Sequence, residues 1–152
     1  MVEFELIIRK RLNPLYRLHY TIWVHWWPLW RRLFSGRKIQ RHWQQYNLVS
    51  PGQTFLDYGC GTGYFSLGAA RIVGEAGKVN ALDCFPRQLD VVRRRSQKAG
   101  LVNIETVLSD CGTGLADDSI DIIWMCDVLH EIDDKRMVLQ EMYRVLRPGG
   151  IL

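Results

Sequence analysis

The sequence predicts an α/β fold, a parallel sheet with helices on both faces, and three observations predict it. After a turn signal at Ser50-Pro51-Gly52, short apolar runs alternate with longer amphipathic ones. A glycine-rich loop, Asp57-Tyr58-Gly59-Cys60-Gly61-Thr62-Gly63, joins the first apolar run to the first amphipathic one. Acids recur at the ends of successive apolar runs, at Asp57, Asp83 and Asp110. Such alternation means strands buried on both faces beneath covering helices.

Each element has its own signal. Thr54-Phe55-Leu56 is a short buried strand that ends at Asp57. Tyr64 to Val73 reads as a helix with Phe65, Ala69 and Ile72 on one face, ended by Gly74 and Gly77. Lys78 to Leu82 is the second strand. Pro86 suits the first turn of the next helix, where its missing N–H is no loss. That helix is expected to bury Leu89, Val92 and Ala99, with Gly100 just past its end. Ile104 to Leu108 and Ile120 to Met125 are the third and fourth strands. Asp133 or Asp134 can cap a last helix whose apolar face is Val138, Met142 and Val145. Arg147-Pro148-Gly149-Gly150 stops it, and Ile151-Leu152 starts a fifth strand.

Composition sets the wider frame. The 152 residues fit one domain on the usual scale of about 100–200 residues. Hydrophobic residues at 47% and charged residues at 24% exclude a disordered chain. Charge is uneven: residues 1–50 hold nine Lys/Arg against two acids, and residues 51–152 hold eleven against fourteen. The expected division is therefore a basic, Trp-rich helical segment over residues 1–50 and the α/β domain over 51–152. Cys60, Cys84, Cys111 and Cys126 have neither C-x-x-C nor zinc-finger spacing, so no metal site is expected, and free thiols fit a cytoplasmic location.

The glycine loop carries the sharpest chemistry. Gly59, Gly61 and Gly63 let the backbone turn tightly and leave room for a ligand against the main chain. The helix that follows points its N–H groups and positive dipole end toward that ligand. A dinucleotide fingerprint would need a glycine at position 64, which is Tyr64. The acid followed by alternate glycines instead resembles motif I of class I methyltransferases that use S-adenosylmethionine (SAM). That resemblance implies a Rossmann-like sheet and SAM as cofactor. It implies glycine backbone along the methionine moiety and Asp57 near its amino end.

The resemblance extends to the later strand ends. Asp83 can accept hydrogen bonds from two ribose hydroxyls, although an acid serving the Pro86 helix would look the same. Family likeness adds Cys84 or Phe85 packed on the adenine, and Asp110 with the Cys111 backbone at the adenine edge. Asp110 also fits a solvated turn. Asp127-Val128-Leu129-His130-Glu131 resembles the segment that follows motif III. His130 is either a general base or a loop and capping residue, and Asp127 either a pocket wall or a loop cap. No catalytic residue is fixed by the sequence. The likeness covers residues 50–152 and is greatest to enzymes that methylate small molecules, quinone-type C-methyltransferases included.

Partners follow from the ends of the chain. A small-molecule methyl acceptor is implied by the resemblance. Trp23, Trp26, Trp27 and Trp30, followed by Arg31, Arg32 and Phe34, fit a lid over the site, a helix packed on the sheet, or a peripheral membrane contact. The apolar stretch from residue 20 to 34 is too short and too interrupted to span a bilayer. Basic charge confined to this segment argues against nucleic acid. The family sheet has seven strands, so the later strands are expected to be missing and the fourth strand to show an apolar edge. A second chain completing the sheet is one consequence; a non-catalytic SAM-binding remnant or partner-dependent subunit is another. A nicotinamide-binding domain is the distant alternative.

Overall fold

The computed structural model describes residues 36–152, with side chains described from Gln40 onward. The expectations placed on the earlier residues, including the Trp23 to Phe34 stretch, lie outside the described residues. Helix α1 (Gly36–Gln45) leads into β1 (Thr54–Tyr58), α2 (Tyr64–Val73), β2 (Lys78–Asp83) and α3 (Pro86–Lys98). Then come β3 (Ile104–Leu108), β4 (Ile120–Met125), a 3₁₀ turn (Leu129–Glu131), α4 (Lys135–Val145) and β5 (Leu146–Ile151).

The five strands form one parallel sheet in the order β3-β2-β1-β4-β5. The chain steps outward from β1 through β2 to β3, then crosses back to the other side of β1. The strand order therefore reverses between β1 and β4, where sheets of this kind open a crevice at their carboxyl ends. Phe55 pairs with Val79 and Ile122, and Tyr58 with Leu82 and Met125, so the three central strands are in step.

Side chains alternate between two faces, and each face has its own core. Phe55, Val79 and Ile122 meet Ala69, Ala70 and Val73 of α2. Leu56, Tyr58, Leu82 and Ile123 meet Val138, Met142 and Val145 of α4 on the other face. Leu89 and Val92 of α3 pack on Ala81. Helices on both faces, as the alternation predicts, leave β1 buried almost throughout.

Terminal signals act locally. Asp134, not Asp133, caps α4: its Oδ1 accepts the Met137 N–H at 2.9 Å. The amide of Asn103 donates to the Ala70 and Gly74 carbonyls at 2.9 and 2.7 Å, satisfying the open end of α2. Asp121 ties three strands, since its Oδ2 accepts the Thr54 N–H at 2.7 Å and its Oδ1 pairs with Arg147 at 2.7 Å.

Three details differ from the expectations. Ala99 is exposed, because it is the residue that ends α3 and has turned past the buried stripe. The fifth strand begins at Leu146, five residues before the expected Ile151. Leu146 lies opposite Ile120 and Ile151 opposite Ile122, so residues 147–150 bulge out between two pairing points. The Pro-Gly-Gly turn signal is therefore an interruption within a strand, and because that strand pairs with β4 at Ile120 and Ile122, β4 lies inside the sheet and does not show the apolar edge expected of it. Thirdly, the compact body extends back to Ile39, before the composition break at residue 50. Trp43 is only 2% exposed and packs in tilted and edge-on contacts against Phe55, Phe65 and Trp124 at 5.4, 5.9 and 4.9 Å between ring centres.

Candidate functional site

The crevice at the carboxyl ends of the strands is built from the glycine loop outward. Gly59, Gly61 and Gly63 all have positive φ, which folds the loop back over the end of β2. The N–H groups of Gly59 and Cys60 donate to the Leu82 carbonyl at 2.9 and 2.8 Å. Two of the glycines are required by close neighbours. A Cβ at Gly59 would lie 2.5 Å from Val128, and one at Gly63 would lie 2.8 Å from Val92. A Cβ at Gly61 would meet nothing within 4 Å among the described residues.

Asp83 locks the loop to the sheet. It is 7% exposed, its Oδ2 accepts the Gly61 N–H at 2.8 Å, and its Oδ1 accepts the Phe85 N–H at 2.8 Å. The Ser109 N–H donates to the Asp83 carbonyl at 3.2 Å, and this draws the β3 end into the same cluster. Cys84 and Phe85 are half-buried on the next loop. The side-chain amino groups of Arg95 hold the far side of the glycine loop, donating to the Thr62 carbonyl at 2.8 Å.

Asp57 lies beneath the loop and is 2% exposed. Its Oδ2 accepts the Ser66 hydroxyl at 2.5 Å, and the Ser66 N–H also donates to it. Burial raises this carboxyl to about 7; the Ser66 donors pull it down, and the Asp83 charge pushes it further up. Cys60 is buried beside both acids, and burial first and Asp57 next hold its thiol well above the ordinary range. Burial also raises Cys111 and Cys126, so none of these three thiols is poised as a thiolate.

Asp110 and Cys111 join from the third strand end. The Tyr58 hydroxyl, on the opposite face of β1 from Asp57, donates to the Asp110 carbonyl at 2.9 Å. The β4 end adds Asp127, at φ 59°, and His130 on the 3₁₀ turn. His130 Nδ1 lies 3.6 Å from Asp127 and its Nε2 lies 3.2 Å from Glu131, but the ring is 59% exposed.

The structure thus brings Asp57, Gly59, Cys60, Gly61, Gly63, Asp83, Cys84 and Phe85 to one end of β1 and β2, with Asp110 and Cys111 tied in by Tyr58 and Ser109. Asp127 and His130 flank the crevice from β4. Four contributors escaped the sequence reading: Tyr58, Ser66, Arg95 and Val128. Ser66 had a signal, a hydroxyl in the first turn of the helix after the loop. The other three act across 33 to 69 residues of chain.

A doubly wound parallel sheet with a glycine loop at its strand-order reversal defines a ligand-binding α/β domain. The profile of the family described as "Methyltransferase domain" matches residues 56–152, and the chain belongs to that family. The chain is 36% identical over 120 residues to a ubiquinone/menaquinone biosynthesis C-methyltransferase from Klebsiella pneumoniae, covering 75% of this chain and 48% of the relative. It is 34% identical over 119 residues to a demethylmenaquinone methyltransferase from Oceanobacillus iheyensis, covering 74% and 50%. Among solved structures, a SAM-dependent methyltransferase from Aquifex aeolicus aligns with a TM-score of 0.67 and 28% identity, over 78% of this chain and 65% of that one. The chain spans about half the length of the curated relatives it matches.

Proposed function

We propose that this chain binds SAM in the crevice between β1 and β4, and that it serves transfer of the SAM methyl group to a small-molecule acceptor of quinone type. The observation that carries the reading is the glycine loop, pinned by Asp83 at the strand-order reversal of a methyltransferase-family domain. The residues fit the cofactor. Gly61 meets no described side chain where a Cβ would intrude, and Asp83 places a carboxylate, the group that ribose hydroxyls donate to, at the end of β2. Gly59, Cys60, Gly61 and Gly63 would line the methionine portion, Cys84 and Phe85 would pack on the adenine, and Asp110 and Cys111 would meet its edge. The quinone-type acceptor is supported by the names of the relatives.

Bound SAM supplies a methyl group already activated on a cationic sulfonium. The chain's own residues then have to hold that ligand, align the acceptor and exclude water. Acid–base help is secondary on this account. His130 is open to solvent between two carboxylates, which suits a proton relay at the rim better than a buried base. Replacement of His130 by Ala is expected to leave SAM affinity intact and to lower turnover modestly; abolished turnover would make His130 catalytic.

Isothermal titration tests the reading. SAM and its demethylated product should bind, and NADH much more weakly; preference for NADH would overturn it. Asp83→Ala should weaken SAM binding by about 1–3 kcal/mol, through unpaired ribose hydroxyls and a released Gly61 N–H.

Partner contacts belong to the same proposal. The tryptophans and arginines between Trp23 and Phe34 supply the chemistry of an interfacial anchor, with rings at headgroup depth and cations on anionic lipid. No helix among the described residues is long and apolar enough to cross a membrane. Sedimentation with anionic vesicles, compared with zwitterionic ones, tests the anchor. A second chain against the β4–β5 margin is supported by exposed Leu139 and Tyr143 on α4.

A further inference from the structure

We infer that Val128 is a positioning residue: it seats the glycine loop, at the carboxyl end of β1, against the turn that carries His130, and so fixes the spacing across the crevice. The inference rests on the SAM reading for its affinity test. It adds to that reading the residue that holds the two sides of the site in register.

The geometry supplies the argument. β1 and β4 flank the strand-order reversal, and Tyr58 pairs with Met125 at their ends. Gly59 and Cys126 therefore leave the sheet side by side. Asp127 then takes a left-handed conformation, φ 59°, which turns the chain off the line of β4. Val128 is the next residue. Its Cγ2, Cβ and Cγ1 lie 2.5, 2.9 and 3.4 Å from where a Cβ at Gly59 would stand, so the whole branched side chain sits over the Gly59 backbone. On the β2 side the Gly59 N–H donates to the Leu82 carbonyl at 2.9 Å. The first glycine of the loop is thus tied to β2 by a hydrogen bond and stopped toward β4 by an apolar side chain.

The residue type suits a stop. A β-branched side chain has few rotamers, so it holds a gap at little entropic cost. Val128 also packs on the core that contains Leu56, Tyr58 and Ile123. Its carbonyl accepts the Glu131 N–H at 2.9 Å, and it opens the 3₁₀ turn on which His130 stands. One side chain therefore bears on Gly59 and on the core, while its backbone starts the turn at the rim. Movement of that turn would press on Gly59 or release it, and the Gly59 backbone is the part of the loop proposed to line the methionine portion of the ligand.

Exchanging the side chains of the two positions in the full chain tests this. Gly59→Ala drives a methyl group into Val128 at a residue of positive φ, and should weaken SAM binding about tenfold or more by titration calorimetry. Val128→Gly alone removes the stop and should weaken binding about three- to fivefold. Gly59→Ala combined with Val128→Gly makes room for the methyl group, and should bind SAM at least about threefold more tightly than Gly59→Ala alone. Val128→Ile keeps the branched carbons against Gly59 and should bind within about twofold of the native chain. Hydrogen exchange without ligand reads the loop itself. The Gly61 N–H, held by Asp83, should exchange faster in Val128→Gly and at the native rate in Val128→Ile. Should Val128→Gly fail to fold, Val128→Ala, which keeps only Cβ, carries the same exchange measurement. Losses that simply multiply in the double variant, or native exchange at Gly61 once the branched carbons are gone, would overturn the inference. If the native chain binds no SAM, the SAM reading falls, and the exchange rates still decide whether Val128 seats the loop.

Discussion

At Asp57 burial and ionisation oppose each other. Its carboxyl titrates near 3.8 when unhindered and near 7 in the folded chain, chiefly through burial. Between those values the folded state holds a proton that the unfolded state does not. Stability without ligand must therefore fall as pH rises from about 4 to about 7, and level off above that. The penalty is on the order of 4 kcal/mol when fully expressed, from about 1.4 kcal/mol per pKa unit. Asp57→Asn keeps the shape and cannot ionise. Thermal melts should show the variant more stable than the native chain at pH 8 and nearly equal to it at pH 4. Equal melting temperatures at both pH values would mean that the native Asp57 is already compensated. Glu141 has the opposite sign. Hydrogen bonding from Arg144, and then from Thr113, lowers its carboxyl to about 2, so its contribution is present above about 4.5 and lost as pH falls toward 2.

At the scale of elements, Glu141 ties the loop after β3 to α4. Its Oε1 accepts the Thr113 N–H at 2.7 Å and the Thr113 hydroxyl at 2.6 Å, and Arg144 bonds both of its oxygens. The same loop carries Asp110 and Cys111. Glu141→Ala should loosen that loop, and the variant should melt at a lower temperature than the native chain at neutral pH, with the difference shrinking toward pH 2, while titration shows SAM affinity reduced several-fold; unchanged affinity would separate the loop from the site. The element boundaries show what the sequence discloses. The glycine loop is legible because its constraints lie within one strand-loop-helix unit, as do the caps at Gly100 and Asp134. The bulged β5 is not, because Pro148-Gly149-Gly150 reads as a stop and only pairing to Ile120 and Ile122 makes it part of a strand. Trp43 is not legible either: local composition groups it with basic, Trp-rich neighbours, while its burial depends on Phe55, Phe65 and Trp124. The site follows the same rule. Asp83 stands out by its strand-end position, whereas Tyr58 matters through a hydrogen bond to a carbonyl 52 residues away.

For the whole molecule, the two margins of the sheet carry different side chains. On the β3 side Lys78 and Glu105 form an exposed ion pair, and the apolar Val102 and Leu108 are scattered singly along that flank. On the β5 side α4, which runs directly into β5, leaves Leu139 and Tyr143 in water, the latter 84% exposed. Arg136 and Gln140 flank these two side chains in a shallow groove. Apolar area of this kind gains about 25 cal/mol per Å² when covered, and single soluble chains rarely leave much of it contiguous. Pro148, which has no N–H, and the bulge around it limit strand-to-strand pairing at this edge, so helix-face contact is the expected mode. Sedimentation equilibrium should therefore show concentration-dependent association. The double substitution Leu139→Lys and Tyr143→Lys should return the chain to its single mass of 17.8 kDa while SAM affinity stays the same, since neither residue belongs to the crevice. A single mass at every concentration would mean that the margin does not drive association between copies. A double variant that still associates would place the contact elsewhere on the chain.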